Sequence, residues 1–219
     1  MKITFADIKN NDDIRTYIEK EDESLKALGY TEHSFTHVLK VAMNASEILL
    51  ELGYSEREAE LVKIAGYLHD IGNVINRVDH AQSGAVMSFR ILDKLGADAE
   101  DIATIITAIG NHDEGTAYPV NAVAAALIIA DKADVRRSRV RNQDVATFDI
   151  HDRVNYAVTL SQLGVKKNGG ISLELDVDTN ICTLADYFEI FLERMVLCKK
   201  AAKKLGEEFS LIINGQRML

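Results

Sequence analysis

The sequence has no tryptophan, a single proline and only two cysteines among its 219 residues. Because proline interrupts the hydrogen bonding of a helix, so little of it leaves long helices free to form. Cys182 and Cys198 fall within or next to one helical pattern, which argues against a disulfide framework or a thiolate metal site and predicts two reduced, packed thiols. No apolar run approaches the roughly 20 residues that a membrane span requires.

Positive charge is also scarce. The chain has 25 Lys and Arg residues against 34 Asp and Glu residues, and its net charge is −9. Proteins that bind nucleic acid or anionic membranes broadly carry a basic surface, so neither is expected as a general partner. The first segment, MKITFADIKNNDDIRTYIEK, lacks the apolar stretch of a signal peptide, and we expect a cytoplasmic protein. An anionic substrate therefore requires cations placed close to its binding site.

The first two thirds of the chain show helical periodicity. In residues 37–53, HVLKVAMNASEILLELG, apolar residues fall at i, i+3, i+4 and i+7. Ser55 followed by Glu58 has the spacing of a capping box and predicts the start of the next helix. Further helices are predicted at about 79–95, 99–111 and 119–134. Pro119 is expected in the first turn of the last of these, and residues 1–149 are predicted to form a helical bundle.

The remaining segment, residues 150–219, has a different pattern. Strands are predicted in RVNYAVTLSQLGV (153–165) and GGISLELDVDT (169–179), separated by turn residues. A long helix at about 182–205 and a short strand, FSLIING, follow. This β-β-α-β appendage has no flexible linker before it, so we expect it to pack on the bundle. Its exposed strand edges permit a homodimer. The predicted fold class is mainly α with a small C-terminal α+β appendage.

Four histidines occur at the ends of predicted helices together with acidic residues. A histidine at one such position is more often a hydrogen-bonded structural residue than a ligand. Here, however, the positions recur through the bundle, and helix ends in a bundle can converge on one cavity. The residues concerned are His37, the adjacent pair His69-Asp70, His80, His112 and Asp131.

The order of these residues resembles the HD superfamily of metal-dependent phosphohydrolases, whose pattern is a first His, an adjacent His-Asp pair and a distant Asp. The resemblance covers roughly residues 30–140 and includes LHDIGN and ALIIADKAD as contexts. It implies an HD-type helical core with His37, His69, Asp70 and Asp131 as metal ligands. In subgroups that use two metals, two more histidines intervene, and here these are His80 and His112. A second dipeptide, His151-Asp152, is expected only to cap a helix or turn.

Imidazole and carboxylate groups suit divalent transition metals such as Fe, Mn, Zn, Co or Ni. One or two ions per chain are expected, since the carboxylate of Asp70 has two oxygens and could bridge a pair of ions. His33 lies four residues before His37, on the same helical face, which also permits a metal pair. The zinc-protease version of that spacing requires Glu after the first His, and Ser34 stands there instead.

The resemblance implies that a metal-activated water attacks a phosphorus atom. Asp70 and Lys132 are the predicted catalytic residues. Cations are expected to bind the substrate phosphate, and the candidates are Arg77, Lys132, Arg136 and Arg137, the last two from VRRSRVR. For each individual arginine of VRRSRVR, a solvated basic face paired with Asp134 and Asp144 is an equally good explanation.

Asn73 marks a departure from the family pattern, because many relatives have Lys at this position. The Gly-Tyr-Pro signature of enzymes acting on cyclic dinucleotides is also not met by EGTAYP, which disfavours that substrate. The predicted substrate is a nucleotide or another small phosphorylated metabolite. Two other functions stay open: a di-iron oxygenase using the same ligands, and a non-catalytic sensing module stabilised by metal.

Overall fold

The computed structural model describes residues 1–219 and contains nine α-helices and one four-stranded sheet. The helices are α1 (Phe5–Lys9), α2 (Asp12–Ala27), α3 (Phe35–Glu51), α4 (Glu56–Leu68), α5 (His80–Lys94), α6 (Ala99–Gly110), α7 (Ala122–Lys132), α8 (Ile150–Ala157) and α9 (Leu184–Lys204). The strands are β1 (Val158–Lys166), β2 (Gly170–Val177), β3 (Phe209–Ile213) and β4 (Gln216–Arg217). The mainly helical fold with a small C-terminal sheet is thus confirmed. None of the helices combines the length and apolar character needed to cross a membrane.

Side-chain caps define where the bundle helices begin. Ser55 and Glu58 form the expected capping box at the start of α4. Ser34 caps α3, and its hydroxyl accepts a hydrogen bond from the backbone of Thr36. At α7 the sequence prediction was wrong, because the cap is Asn121 and Pro119 lies outside the helix. An Asn at this position satisfies a free N–H at the helix start, which Pro119 in the first turn would not do.

Two glycines allow the close backbone approaches that shape the bundle. A Cβ on Gly66 in α4 would lie 2.8 Å from the Cα of Ala42 in α3. A Cβ on Gly72, in the 3₁₀ turn Ile71–Val74, would overlap the carbonyl oxygen of His80 at the start of α5. The glycines therefore bring the end of α4 close to both α3 and α5.

The C-terminal sheet has the strand order β1-β2-β3-β4. β1 and β2 form an antiparallel hairpin, β2 pairs in parallel with β3 across the connecting helix α9, and β4 pairs antiparallel with β3. The predicted strand 153–165 is wrong in its first part, since α8 continues to Ala157. Val154 and Ala157 are buried three residues apart, as on a helix face, and the strand begins at Val158.

The bundle and the C-terminal segment share one core. A single cluster of 52 buried residues runs from Ile3 to Ile213, and α9 packs against α7. The predicted boundary between residues 149 and 150 falls at the start of α8, which Asp149 caps. Cys182 and Cys198 are buried, free thiols within this core. The packing places α9 beside the end of α7 that carries Asp131.

Candidate metal centre

The structure brings the ends of five helices together around one buried point. His37 lies in the first turn of α3, His69 and Asp70 follow the end of α4, and His80 begins α5. The remaining two are His112, just after α6, and Asp131, in the last turn of α7. Five of these six residues are fully buried, and only the Asp131 side chain retains slight exposure. Residues far apart in the sequence thus form one cluster.

Three of the imidazoles are oriented by the backbone of their own segment. In each, Nδ1 hydrogen-bonds a carbonyl oxygen three residues earlier, at 2.7–3.0 Å. Because a carbonyl oxygen can only accept, Nδ1 carries the proton of the neutral ring, and the lone pair of that ring is then on Nε2, which faces the cluster. These histidines are His69, His80 and His112. The local fold therefore presents three Nε2 atoms in the form that binds a metal.

His37 reaches the same state through a carboxylate. Its Nδ1 donates to Oδ2 of Asp134 at 2.8 Å. Asp134 is in turn held by Lys40, at 3.1 Å, and by Arg136, at 2.9 Å. Burial opposes ionisation of Asp134, but the hydrogen bond and charge of His37 with nearby arginines hold the pKa of its carboxyl well below the usual range. Such carboxylate–histidine pairs orient metal ligands in many proteins.

Asp70 lies between two pairs of imidazoles. Its Oδ2 is 3.6 Å from Nε2 of His37 and 3.1 Å from Nε2 of His69. Its Oδ1 is 3.4 Å from Nε2 of His80 and 3.8 Å from Nε2 of His112. The two oxygens of this carboxylate thus face different pairs of imidazoles.

The residues fit a divalent metal ion. Asp131 Oδ1 completes the first set, at 3.5 Å from Nε2 of His37 and 3.6 Å from Nε2 of His69. Both of these Nε2 atoms are buried without a hydrogen-bond partner, which is unfavourable unless an ion binds them. Within each of the overlapping ligand groups the atoms lie within 4.8 Å of one another, and ligands about 2.0–2.2 Å from a shared ion meet that requirement. These groups are His37, His69 and Asp70; His69, His112 and Asp131; and Asp70, His80 and His112.

The carboxylates give the cluster an affinity for positive charge. Burial opposes ionisation of Asp70, but the charge of His69 and the other imidazoles close to its carboxylate hold its pKa well below the usual range. Burial of Asp131 is outweighed mainly by the charge of Lys132, and its pKa is also well below the usual range. The same carboxylates overcome the burial of His69 and raise its pKa well above the ordinary value. A buried cation is therefore stabilised at this point.

Asn73 supports Asp70 directly. Its Nδ2 donates to the backbone oxygen of Asp70 at 2.8 Å and to Oδ1 of the same residue at 3.1 Å. Arg77 donates to Oδ1 of Asn73 at 3.3 Å and lies over the ring of Tyr30. The amide at this departure from the family pattern thus orients the oxygen that faces His80.

A polar cavity of about 390 Å³ opens onto the cluster. Its wall includes the predicted cations Arg77 and Lys132. Nζ of Lys132 lies 2.7 Å from Asp131 and 3.0 Å from Glu114. Burial opposes the charge of Lys132, but these two carboxylates outweigh it and raise its pKa, so the ammonium persists.

Arg136 and Arg137 do not line the cavity, and this corrects their predicted placement at the phosphate. Arg136 is engaged by Asp134 and by Glu32, the latter at 3.0 Å. Arg137 donates to the carbonyl oxygen of Tyr156 at 2.6 Å and stacks on its ring. Closeness to Asp131 along the chain therefore did not place these two side chains at the site.

The cavity wall also includes residues that were not among the predicted substrate-binding residues. Arg139 comes from the segment VRRSRVR, and Arg194 comes from α9. His33 also lines the cavity, with its Nδ1 hydrogen-bonded to the carbonyl oxygen of Thr31 at 2.7 Å. The second dipeptide, His151-Asp152, lies in the first turn of α8 and on the cavity wall. The sequence gives no indication that Arg194 lies at the cavity, because its position there depends on how α9 packs against α7.

A family comparison agrees with this geometry. The profile of the HD domain family matches residues 34–153, more than half of the chain. This chain therefore belongs to the HD domain family. The matched segment contains all six clustered residues and ends within α8.

Relatives share modest identity with the chain. An uncharacterized protein of Methanocaldococcus jannaschii is 24% identical over 199 residues, which cover 80% of this chain and 76% of that protein. Ribonuclease Y of Bacillus subtilis is 26% identical over 148 residues, covering 68% of this chain but only 27% of the ribonuclease. A crystal structure of a predicted HD superfamily hydrolase from an uncultured Thermotogales bacterium has 25% identity and a TM-score of 0.44, and the match covers 57% of this chain and 67% of that one.

Proposed function

We propose that this protein is a metal-dependent phosphohydrolase that cleaves a phosphoester or phosphoanhydride bond of a nucleotide or small phosphorylated metabolite. The observation that carries the proposal is the position of Asp70, whose two oxygens face separate imidazole pairs at the base of a polar cavity. A carboxylate in this position would serve two metal ions, an arrangement used by many phosphoryl-transfer enzymes. Membership of the HD domain family supports the same chemistry.

The residues of the chain have distinct roles in this proposal. His37, His69 and Asp131 would hold one ion, His80 and His112 would hold a second, and Asp70 would contribute an oxygen to each. Divalent ions at these positions would lower the pKa of a bound water and would offset the negative charge on the phosphoryl oxygens. Lys132 fixes Asp131 through their 2.7 Å ion pair and adds positive charge to the cavity wall. Arg77, stacked on Tyr30, places a second cation beside His80.

A small substrate fits the site better than a polymer. The cavity volume of about 390 Å³ lies in the range of small-ligand pockets. The net charge of −9 opposes general binding of nucleic acid. RNA is an alternative substrate, because the chain is similar to ribonuclease Y. The match covers only about a quarter of the length of that enzyme. A homodimer through the sheet edges also stays a proposal.

The proposal is tested by metal analysis followed by a substrate screen. The purified protein is expected to contain Fe, Mn, Zn, Co or Ni and, with that metal, to hydrolyse a member of a panel of phosphomonoesters, dinucleoside polyphosphates, cyclic nucleotides and short RNAs. Hydrolysis under anaerobic conditions with Mn or Co supports the proposal. Iron content with dioxygen consumption and no hydrolysis would instead identify an oxygenase, and stable metal binding without turnover would identify a sensing module.

A further inference from the structure

Arg194 lies on the cavity wall although it belongs to a segment beyond the HD-matched residues 34–153. It occupies the middle of α9, whose apolar face packs on α7. About 29% of its side chain remains exposed. The C-terminal part of the chain thus contributes a cation to a cavity whose metal ligands all come from the bundle.

Two contacts hold the guanidinium of Arg194 in place. Its Nε lies 2.5 Å from Oε1 of Glu114, on the loop that follows His112. Its central carbon lies 4.7 Å from the ring centroid of Phe191, one turn earlier on α9. The contact with Glu114 uses Nε, and the contact with Phe191 uses the flat face of the guanidinium. The two terminal nitrogens have no hydrogen-bond partner within the chain, so their donors are free for a ligand.

The other cations of the cavity have partners within the protein. Lys132 is paired with two carboxylates, those of Asp131 and Glu114. Arg139 donates from Nε and Nη1 to the backbone oxygens of Glu32 and Asp134. Arg77 donates to the Asn73 side chain, as described above. Arg194 is therefore the cavity arginine in which neither terminal nitrogen is hydrogen-bonded within the protein, whereas Nη1 of Arg77 and Nη1 of Arg139 both are.

We propose that Arg194 binds the terminal phosphate of a small substrate through its two terminal nitrogens and thereby selects phosphomonoester or terminal diphosphate groups. The inference rests on the proposed phosphohydrolase function. A planar guanidinium matches two phosphate oxygens at once. A terminal phosphate has three oxygens free of ester linkage, enough to face both Arg194 and the metal centre, whereas an internal phosphodiester has only two. The residue thus favours small substrates over the interior of an RNA chain.

The inference is tested by titrating inorganic phosphate into metal-replete protein by calorimetry. Arg194→Gln is expected to weaken phosphate binding by about tenfold or more, because charge-assisted bidentate contacts are lost. The metal content of this variant, measured by elemental analysis, is expected to equal that of the wild type. Arg90→Gln makes the same charge change on the exposed face of α5, where the side chain is 78% exposed, and is expected to bind phosphate normally.

Glu114→Gln separates a binding role from a structural one. This change breaks the ion pairs of Glu114 with Arg194 and with Lys132 but keeps both cations, so retained or tighter phosphate binding supports the inference. Equal weakening in Glu114→Gln and Arg194→Gln would mean that the pair acts only by holding α9, and would overturn it. Absence of phosphate binding in the wild type, or unchanged binding in Arg194→Gln, would overturn it as well.

A kinetic comparison separates this inference from the proposed function. If Arg194-dependent phosphate binding occurs and no phosphate ester is cleaved, the binding subsite stands and the hydrolase proposal fails. If a substrate is cleaved, Arg194→Gln is expected to raise KM for phosphomonoesters much more than for diesters. Equal KM for both classes in the wild type and the variant would show that Arg194 does not select terminal phosphate.

Discussion

Nδ1 of His37 donates a hydrogen bond to Oδ2 of Asp134 at 2.8 Å, across 97 residues of sequence. The other three histidines of the cluster are oriented by nearby backbone carbonyls, so His37 alone depends on a tertiary partner for its orientation. The carboxylate also strengthens the imidazole as a ligand, because it stabilises partial positive charge on the ring. This pair therefore offers a way to weaken the metal centre without removing a ligand.

Asp134→Asn is expected to lower metal affinity by about 10–100-fold, the usual effect of losing such a supporting carboxylate. Competition with a chelator of known affinity measures the change. Asp93→Asn, on an exposed carboxylate of α5, serves as the charge-matched control and is expected to leave affinity unchanged. Equal affinities for Asp134→Asn and the wild type would show that His37 does not need this partner.

Asp70→Ala is expected to remove all bound metal and abolish hydrolysis, because Asp70 faces both ligand sets. Elemental analysis measures the loss, and Asp70→Asn provides a variant of nearly the same shape in case the alanine variant folds poorly. Asp152→Ala, in the second His-Asp dipeptide, is the control that should keep its metal. Full metal content in Asp70→Ala would falsify the assignment of the centre.

Changes at His80 or His112 are expected to halve the metal content. Each lies near Oδ1 of Asp70, and the two form one candidate ligand group with it, although His112 also lies within reach of His69 and Asp131. Elemental analysis of the alanine variants should give one ion per chain, against two in metal-replete wild type. His151→Ala should retain both ions. A wild-type protein that holds one ion per chain under metal-replete conditions contradicts the two-metal arrangement.

Gly72→Ala is expected to destabilise the fold by roughly 1–3 kcal/mol, the usual range for a group forced into a packed interior. The added Cβ would overlap the carbonyl oxygen of His80 and lie 2.5 Å from the backbone nitrogen of Gly84. Gly110→Ala is the control, since its Cβ would meet only the Ala85 side chain at an ordinary 3.6 Å. Thermal unfolding of the two variants checks the difference, and equal stability would contradict the close approach.

The helices of the bundle could be predicted because their signals are local. Ser55 and Glu58 define a helix start by themselves, and the apolar stripe of α3 needs only regular spacing. The residues around Ala157 could not be assigned, because α8 passes directly into β1 without a turn and short apolar runs fit either structure. The start of α7 was also predicted too early, at Pro119, because Asn121 caps the helix two residues later.

The candidate ligands could be proposed from sequence because the family pattern preserves their order along the chain. The cations could not, because their placement depends on packing. Arg136 and Arg137 lie near Asp131 in sequence but bind other groups, whereas Arg194 is distant and lines the cavity. Which arginine faces the site is decided by the direction of a short 3₁₀ turn at Arg137–Arg139 and by the docking of α9.

The parallel pairing of β2 with β3 has a consequence for kinetics. The two strands are joined through α9, so both ends of that helix are anchored in the sheet. Because the strands that precede and follow α9 pair with each other, we expect α9 to keep its place against the sheet and Arg194 to stay on the cavity wall. We expect the cavity to keep its shape as substrate arrives, and the turnover rate to be set by chemistry or product departure instead of a gating motion.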